Sequence, residues 1–168
     1  MADATDNTPS RDPKDHSTTT ILSAFPAFLR LFRAAIDAEM RIDHSDVDPM
    51  SQHFANDLHH AETLRERLIE SCFDILEHIP EIPADKGLVR LAFLLKTLFE
   101  TTDDDDKQHV FARVRDHQDI FLTDPSKHRI FRMQTEFFSV FSDMAELREF
   151  GGPGHEPPML DPAMPIPA

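Results

Sequence analysis

The stretch FPAFLRLFRAAIDAEM, Phe25 to Met40, decides the fold class. Phe25, Phe28, Leu29, Phe32, Ala35, Ile36 and Met40 recur at steps of three and four, the spacing that gathers side chains on one face of an α-helix. Arg33, Asp37 and Arg41 line the opposite face at four-residue intervals and can pair there in solvent. The reading is an amphipathic helix over residues 23–42, with Pro26 in its first turn, where a missing amide costs little.

The same period continues down the chain. A second helix is expected to open at Asp48-Pro49, an acidic cap followed by proline, and to run to Ile79. Its apolar stripe is Phe54, Leu58, Ala61, Leu64, Leu68, Cys72, Ile75, Leu76 and Ile79, and Pro80 and Pro83 stop it. Cys72 falls inside that stripe, which marks a packed thiol and not a reactive one. A third helix, Asp85 to Thr101, carries Leu88, Val89, Leu91, Ala92, Phe93, Leu94, Leu95, Leu98 and Phe99 and has almost no polar side. Such a helix is expected at the centre of the domain, or shared with a second copy in a homo-oligomer.

Acidic residues favour a helix N-terminus, so the run Asp103 to Asp106 is read as the start of a fourth helix reaching Phe121. A second Asp-Pro pair, Asp124-Pro125, is read as the opening of a fifth, which Gly151-Gly152 ends. The expected fold is therefore an all-α bundle of about five helices over residues 19–150. Residues 1–18 are polar and residues 151–168 hold six of the 13 prolines, so both ends are expected to be disordered tails.

Composition excludes many chemistries. Only four glycines occur, so phosphate-cradling loops and dinucleotide folds lack their raw material. One cysteine rules out an intrachain disulfide and a cysteine-built zinc site, and no cofactor is implied. The Asp103 to Asp106 run fails as a calcium loop, because Lys107, Gln108 and Val114 stand where ligand, glycine and glutamate are needed. The longest apolar run, Leu88 to Leu95, is interrupted by Arg90 and is far too short to span a membrane. With no apolar leader at its start, the chain is read as cytoplasmic. A net charge of −14 argues against nucleic acid and anionic lipid as direct partners. It also admits an acidic inhibitor or nucleic-acid mimic acting on a basic protein.

Three groups of residues are candidates for function. Glu39, His53, Asp57 and His60 would approach one another if the first two helices form an antiparallel hairpin, giving a metal-binding bundle enzyme. The acid-x-x-His spacing of Asp57/His60 and Asp106/His109 is uninformative by count, since about two such pairs follow from composition alone. The second group is basic: Arg113, Arg115, Lys127, Arg129 and Arg132 stand against Asp116, Asp119 and Asp124, a local balance of +2 in a chain of −14. Cations in the first turn of a helix oppose its dipole, which points to an anion or an acidic partner. The third group is Met159, Leu160, Met164 and Ile166, set between prolines in a segment suited to docking in a groove. The favoured expectation is a non-enzymatic interaction module, such as a small regulator, assembly factor or chaperone-like accessory protein.

Overall fold

The computed structural model describes residues 18–150. It is all-helical, with five α-helices: α1 (Thr20–Asp43), α2 (Gln52–Glu77), α3 (Pro83–Glu100), α4 (Asp104–Asp116) and α5 (His128–Met144). Single turns of 3-10 helix follow at Gln118–Ile120 and Arg148–Phe150. The expected tails, with Met159, Leu160, Met164 and Ile166, lie outside the described residues, apart from Thr18.

Local chemistry sets the helix ends. Thr19 caps α1 by accepting from the Leu22 amide at 3.1 Å, and Asp103 caps α4 by accepting from Asp106 at 3.0 Å. α1 therefore begins three residues earlier than its apolar pattern suggests, and Pro26 lies in the second turn. There it withholds the amide that would pair with the Leu22 carbonyl.

Both Asp-Pro openings are corrected in the same way. Asp48 accepts from the Met50 amide at 2.9 Å and Asp124 from the Ser126 amide at 2.8 Å, each through its side chain. These contacts close tight turns ahead of the helices. The helices start after them, with Ser51 capping α2 and Lys127 at the cap position of α5.

α1, α3 and α5 point the same way, since Thr19 meets Asp85 and Leu22 meets Arg129 at their starts. Arg65 of α2 meets both Glu39 and Phe99 near the ends of α1 and α3, and α2 returns beside these two helices. α1 packs against α2, α3 and α5, and it takes the central place expected of α3. Its Phe28 and Phe32 meet Phe137 of α5 at ring distances of 6.4 and 5.3 Å. The cluster continues through Phe141 to Phe111 of α4 and on to Phe150, at 4.5 and 5.3 Å.

α3 is not enclosed all round. Leu88, Leu91, Ala92, Leu95 and Leu98 are buried, but Phe93 is 58% exposed. Its neighbours leave one stripe uncovered, through Lys86, Arg90 and Phe93. Phe73 of α2 is also exposed, with the Lys96 ammonium 4.9 Å over its ring. Two members of the expected α2 stripe are corrected as well. Glu39 stands opposite Arg65, which places the end of α1 near Ala61. Leu58 lies beyond that point and is exposed, while Ile79 falls past the end of α2 and is 84% exposed.

Two buried polar residues tie the bundle together. Asp85 is fully buried and accepts from the Thr19 hydroxyl at 2.7 Å, the Glu81 amide at 3.0 Å and the Ile82 amide at 3.2 Å. It joins the starts of α1 and α3 with hydrogen bonds, and among the described residues no cation pairs with it. Gln134 is fully buried on α5. Its oxygen accepts from the Thr123 amide at 2.8 Å and the Thr123 hydroxyl at 3.0 Å, and its nitrogen donates to the Phe121 carbonyl at 2.7 Å. Gly87 of α3 makes room for it, since a Cβ there would stand 2.7 Å from the Gln134 nitrogen.

Candidate functional site

Because α1, α3 and α5 run parallel, their N-termini gather at one end of the bundle. A cleft of about 610 Å³ opens between them. Its apolar wall is Leu22 of α1, Ile82, Pro83 and Ala84 at the start of α3, and Ile130 of α5. Thr18, Ser126, Lys127, His128 and Arg129 complete the lining. Among the described residues that line it, none is acidic. The volume falls within the range of small-ligand and peptide pockets.

The three helix starts are not electrically alike. The Thr19 hydroxyl caps α1, and the Asp85 carboxylate accepts from the Ile82 amide at the start of α3. α5 has no side-chain cap and no acidic residue in its first turn. Its first helical bonds run from the Ile130 and Phe131 amides to the Lys127 carbonyl, at 3.0 and 3.1 Å. The His128 and Arg129 amides precede that ladder. Three basic side chains therefore stand where the helix dipole is itself positive.

One of them has a structural partner. Arg129 donates to the Leu22 carbonyl at 3.5 Å, the group that Pro26 leaves unpaired in α1. This contact uses one N–H of a guanidinium that carries five, and it holds the head group beside the cleft. Beside the cleft, the Ser126 amide and side chain hold the exposed Asp124 carboxyl below its ordinary range.

The expected basic cluster is thus divided. Lys127 and Arg129 come together in the cleft, whereas Arg113 and Arg132 are exposed and outside its lining. Arg115 borders a second, smaller cleft of about 310 Å³ beside Phe111, Phe141 and Phe150, and lies 3.6 Å from Asp116. Sequence reasoning missed His128, Leu22, Ile82, Pro83, Ala84 and Ile130. The signal for His128 was adjacent, in three consecutive basic residues. The others are joined only by the parallel arrangement of three helices, which no local pattern carries.

Of the residues proposed for a metal, His53, Asp57 and His60 are spread along α2 and Glu39 is on α1. His53 and Asp57 approach at 3.7 Å on exposed turns, and His60 is exposed one turn further on. Glu39 instead faces Arg65 at 3.8 Å, about two turns from Asp57 along the helix. Among the described residues no group of three or more His, Cys, Asp or Glu side chains is placed to hold a metal ion. Cys72 is fully buried, and burial pushes its thiol up to about 12. It remains a protonated core residue at neutral pH.

A second polar cluster fastens the end of the domain. Glu149 bonds Arg65 of α2 and Lys107 of α4, the latter at 3.1 Å. The Lys107 ammonium lies 5.4 Å over the Phe150 ring, and the Arg65 guanidinium 5.1 Å over Phe99. Burial alone pushes the Glu149 carboxyl up, but its bonds to Arg65 and Lys107 outweigh this and hold it below the ordinary value of 4.5. Burial pushes Glu39 up; Arg65 opposes that rise, while Glu149, Asp43 and Glu62 add to it.

Among the described residues no helix is long and apolar enough to cross a membrane. Comparison with protein-family models, with curated proteins and with solved structures finds no match for this chain.

Proposed function

We propose that this chain is a non-enzymatic protein-interaction module and that the cleft at the N-termini of α1, α3 and α5 is where a partner binds. The observation that carries the reading is the cleft's lining, which among the described residues combines an apolar wall with Lys127, His128 and Arg129 and includes no acid. A surface of net charge −14 repels acidic chains in general, so a local cationic site confers selectivity for one that can also fill an apolar recess. The partner contributes an acidic group. It approaches against the overall field and is held by short-range contacts.

The test compares the full chain with a Lys127→Glu/His128→Glu variant, which leaves the Arg129 contact to Leu22 in place. Both are immobilised and exposed to extract of the source cell at low salt, and the retained proteins are compared. The reading expects a partner held by the parent chain and lost from the variant, with helical content unchanged. Identical retention by the two would contradict it.

A further inference from the structure

We propose that the cleft recognises the free C-terminal carboxylate of a peptide whose last side chain is apolar. This deepens the interaction-module reading and rests on it. The polarity of the cleft is one-sided: among the described residues its basic side chains, Lys127, His128 and Arg129, stand at the start of α5, while Leu22 comes from α1 and Ile82, Pro83 and Ala84 from the start of α3. A ligand matching it carries a negative charge at one end and an apolar group beside it. A chain terminus after an apolar residue has that form, with the carboxylate and the side chain on the same carbon.

The charge of the ligand is also constrained. Asp85, the residue after Ala84 of the wall, is fully buried and is held by a hydroxyl and two amides, with no cation bonded to it among the described residues. Its negative charge opposes a dianion such as phosphate more than a monoanion. The polar groups at the mouth suit a peptide, since the Thr18 and Ser126 hydroxyls can pair with the amides preceding a terminal carboxylate. Lys127 and Arg129 supply the charge-assisted bonds.

Isotope-labelled full-length protein titrated with acetyl-Ala-Ala-Leu as free acid, as its C-terminal carboxamide, and with octanoate tests the assignment. The free acid is expected to shift the amide resonances of Leu22, Ala84, His128 and Arg129 saturably, and the carboxamide to bind at least about tenfold more weakly. The Lys127→Glu variant, checked for an otherwise unchanged spectrum, should lose a comparable factor. Equal binding of acid and carboxamide at these resonances overturns the carboxylate assignment while leaving the cleft as the binding site. Octanoate matching the free acid overturns the assignment to a chain end. Shifts confined to other faces, or none with any of the three, overturn it as well, and the extract comparison then judges the cleft reading separately.

Discussion

Arg129 of α5 reaches the Leu22 carbonyl of α1 at 3.5 Å, and Leu22 has that carbonyl free because Pro26 carries no amide. A sequence irregularity in one helix is thereby answered by a side chain from another, 107 residues away. The contact, at the long end of hydrogen-bonding range, links the cationic side of the cleft to its apolar side.

Pro26→Ala restores the helical partner of Leu22 and removes a proline from the helix interior. It is expected to stabilise the protein by roughly 1–3 kcal/mol, read from urea unfolding. Arg129→Ala should then cost less in the Pro26→Ala background than in the parent, because its acceptor is already satisfied. Equal costs in both backgrounds would show that the contact contributes nothing.

Asp85 holds the Glu81 and Ile82 amides just ahead of α3 and the hydroxyl that caps α1, so its loss strands three donors at once. Asp85→Ala is expected to cost about 3 kcal/mol or more, and Thr19→Val about 1 kcal/mol. The double variant should cost less than the sum, since each single change already breaks the shared bond. Strict additivity in the same unfolding assay would contradict the pairing.

Gly87 and Gln134 predict a reversal of sign. In the parent chain Gly87→Ala drives a Cβ against the Gln134 amide nitrogen, which is held by the Phe121 carbonyl, and should destabilise by about 1–2 kcal/mol. In a Gln134→Ala background the obstacle is gone. The same substitution should there recover up to about 1 kcal/mol of helix propensity. Thermal unfolding of the four proteins decides it, and destabilisation in both backgrounds would refute the account.

Glu39 and Glu149 share Arg65 but respond oppositely to acid. Glu149 is depressed in the fold, so its stabilisation is present above the ordinary value of 4.5 and is lost as pH falls through the folded value. Glu39 is raised, so its contribution is present only when it is protonated and becomes a cost as pH rises past its folded value. At neutral pH Glu149→Gln should lose roughly 1 kcal/mol, a figure kept small by solvent screening. Glu39→Gln should be neutral or stabilising. Below the ordinary value both differences should shrink, as urea unfolding across the acid range would show. A Glu39→Gln loss matching that of Glu149→Gln would contradict this ordering.

The all-helical class was legible because Phe25, Phe28, Phe32 and Phe137, Phe138, Phe141 repeat at helical spacing, and burial follows that spacing. What periodicity cannot carry is which helix runs beside which. Phe93 fits the apolar girdle of α3 by composition, yet it is exposed because it falls on the stripe, with Lys86 and Arg90, that the neighbouring helices leave uncovered. Leu58 fits the stripe of α2, yet α1 ends before reaching it. Asp48 and Asp124 were readable as helix openings by type, but a short acid one residue before proline can equally close a turn, and here both do. Of the cleft, the sequence disclosed Lys127 and Arg129 through their charge against the global balance. Leu22, Ile82 and Pro83 carry no such mark, since they become a wall only when three helices start side by side.

The central claim, that a partner sits in the cleft between the starts of α1, α3 and α5, is tested most directly by photo-crosslinking in the source cell. A light-activated residue is placed at position 126 in the cleft, and at position 74 on α2 as a remote control. The account predicts one discrete protein adduct from position 126, lost when Lys127→Glu/His128→Glu is added and not formed from position 74. No adduct at 126, or one indifferent to the charge reversal, would contradict it.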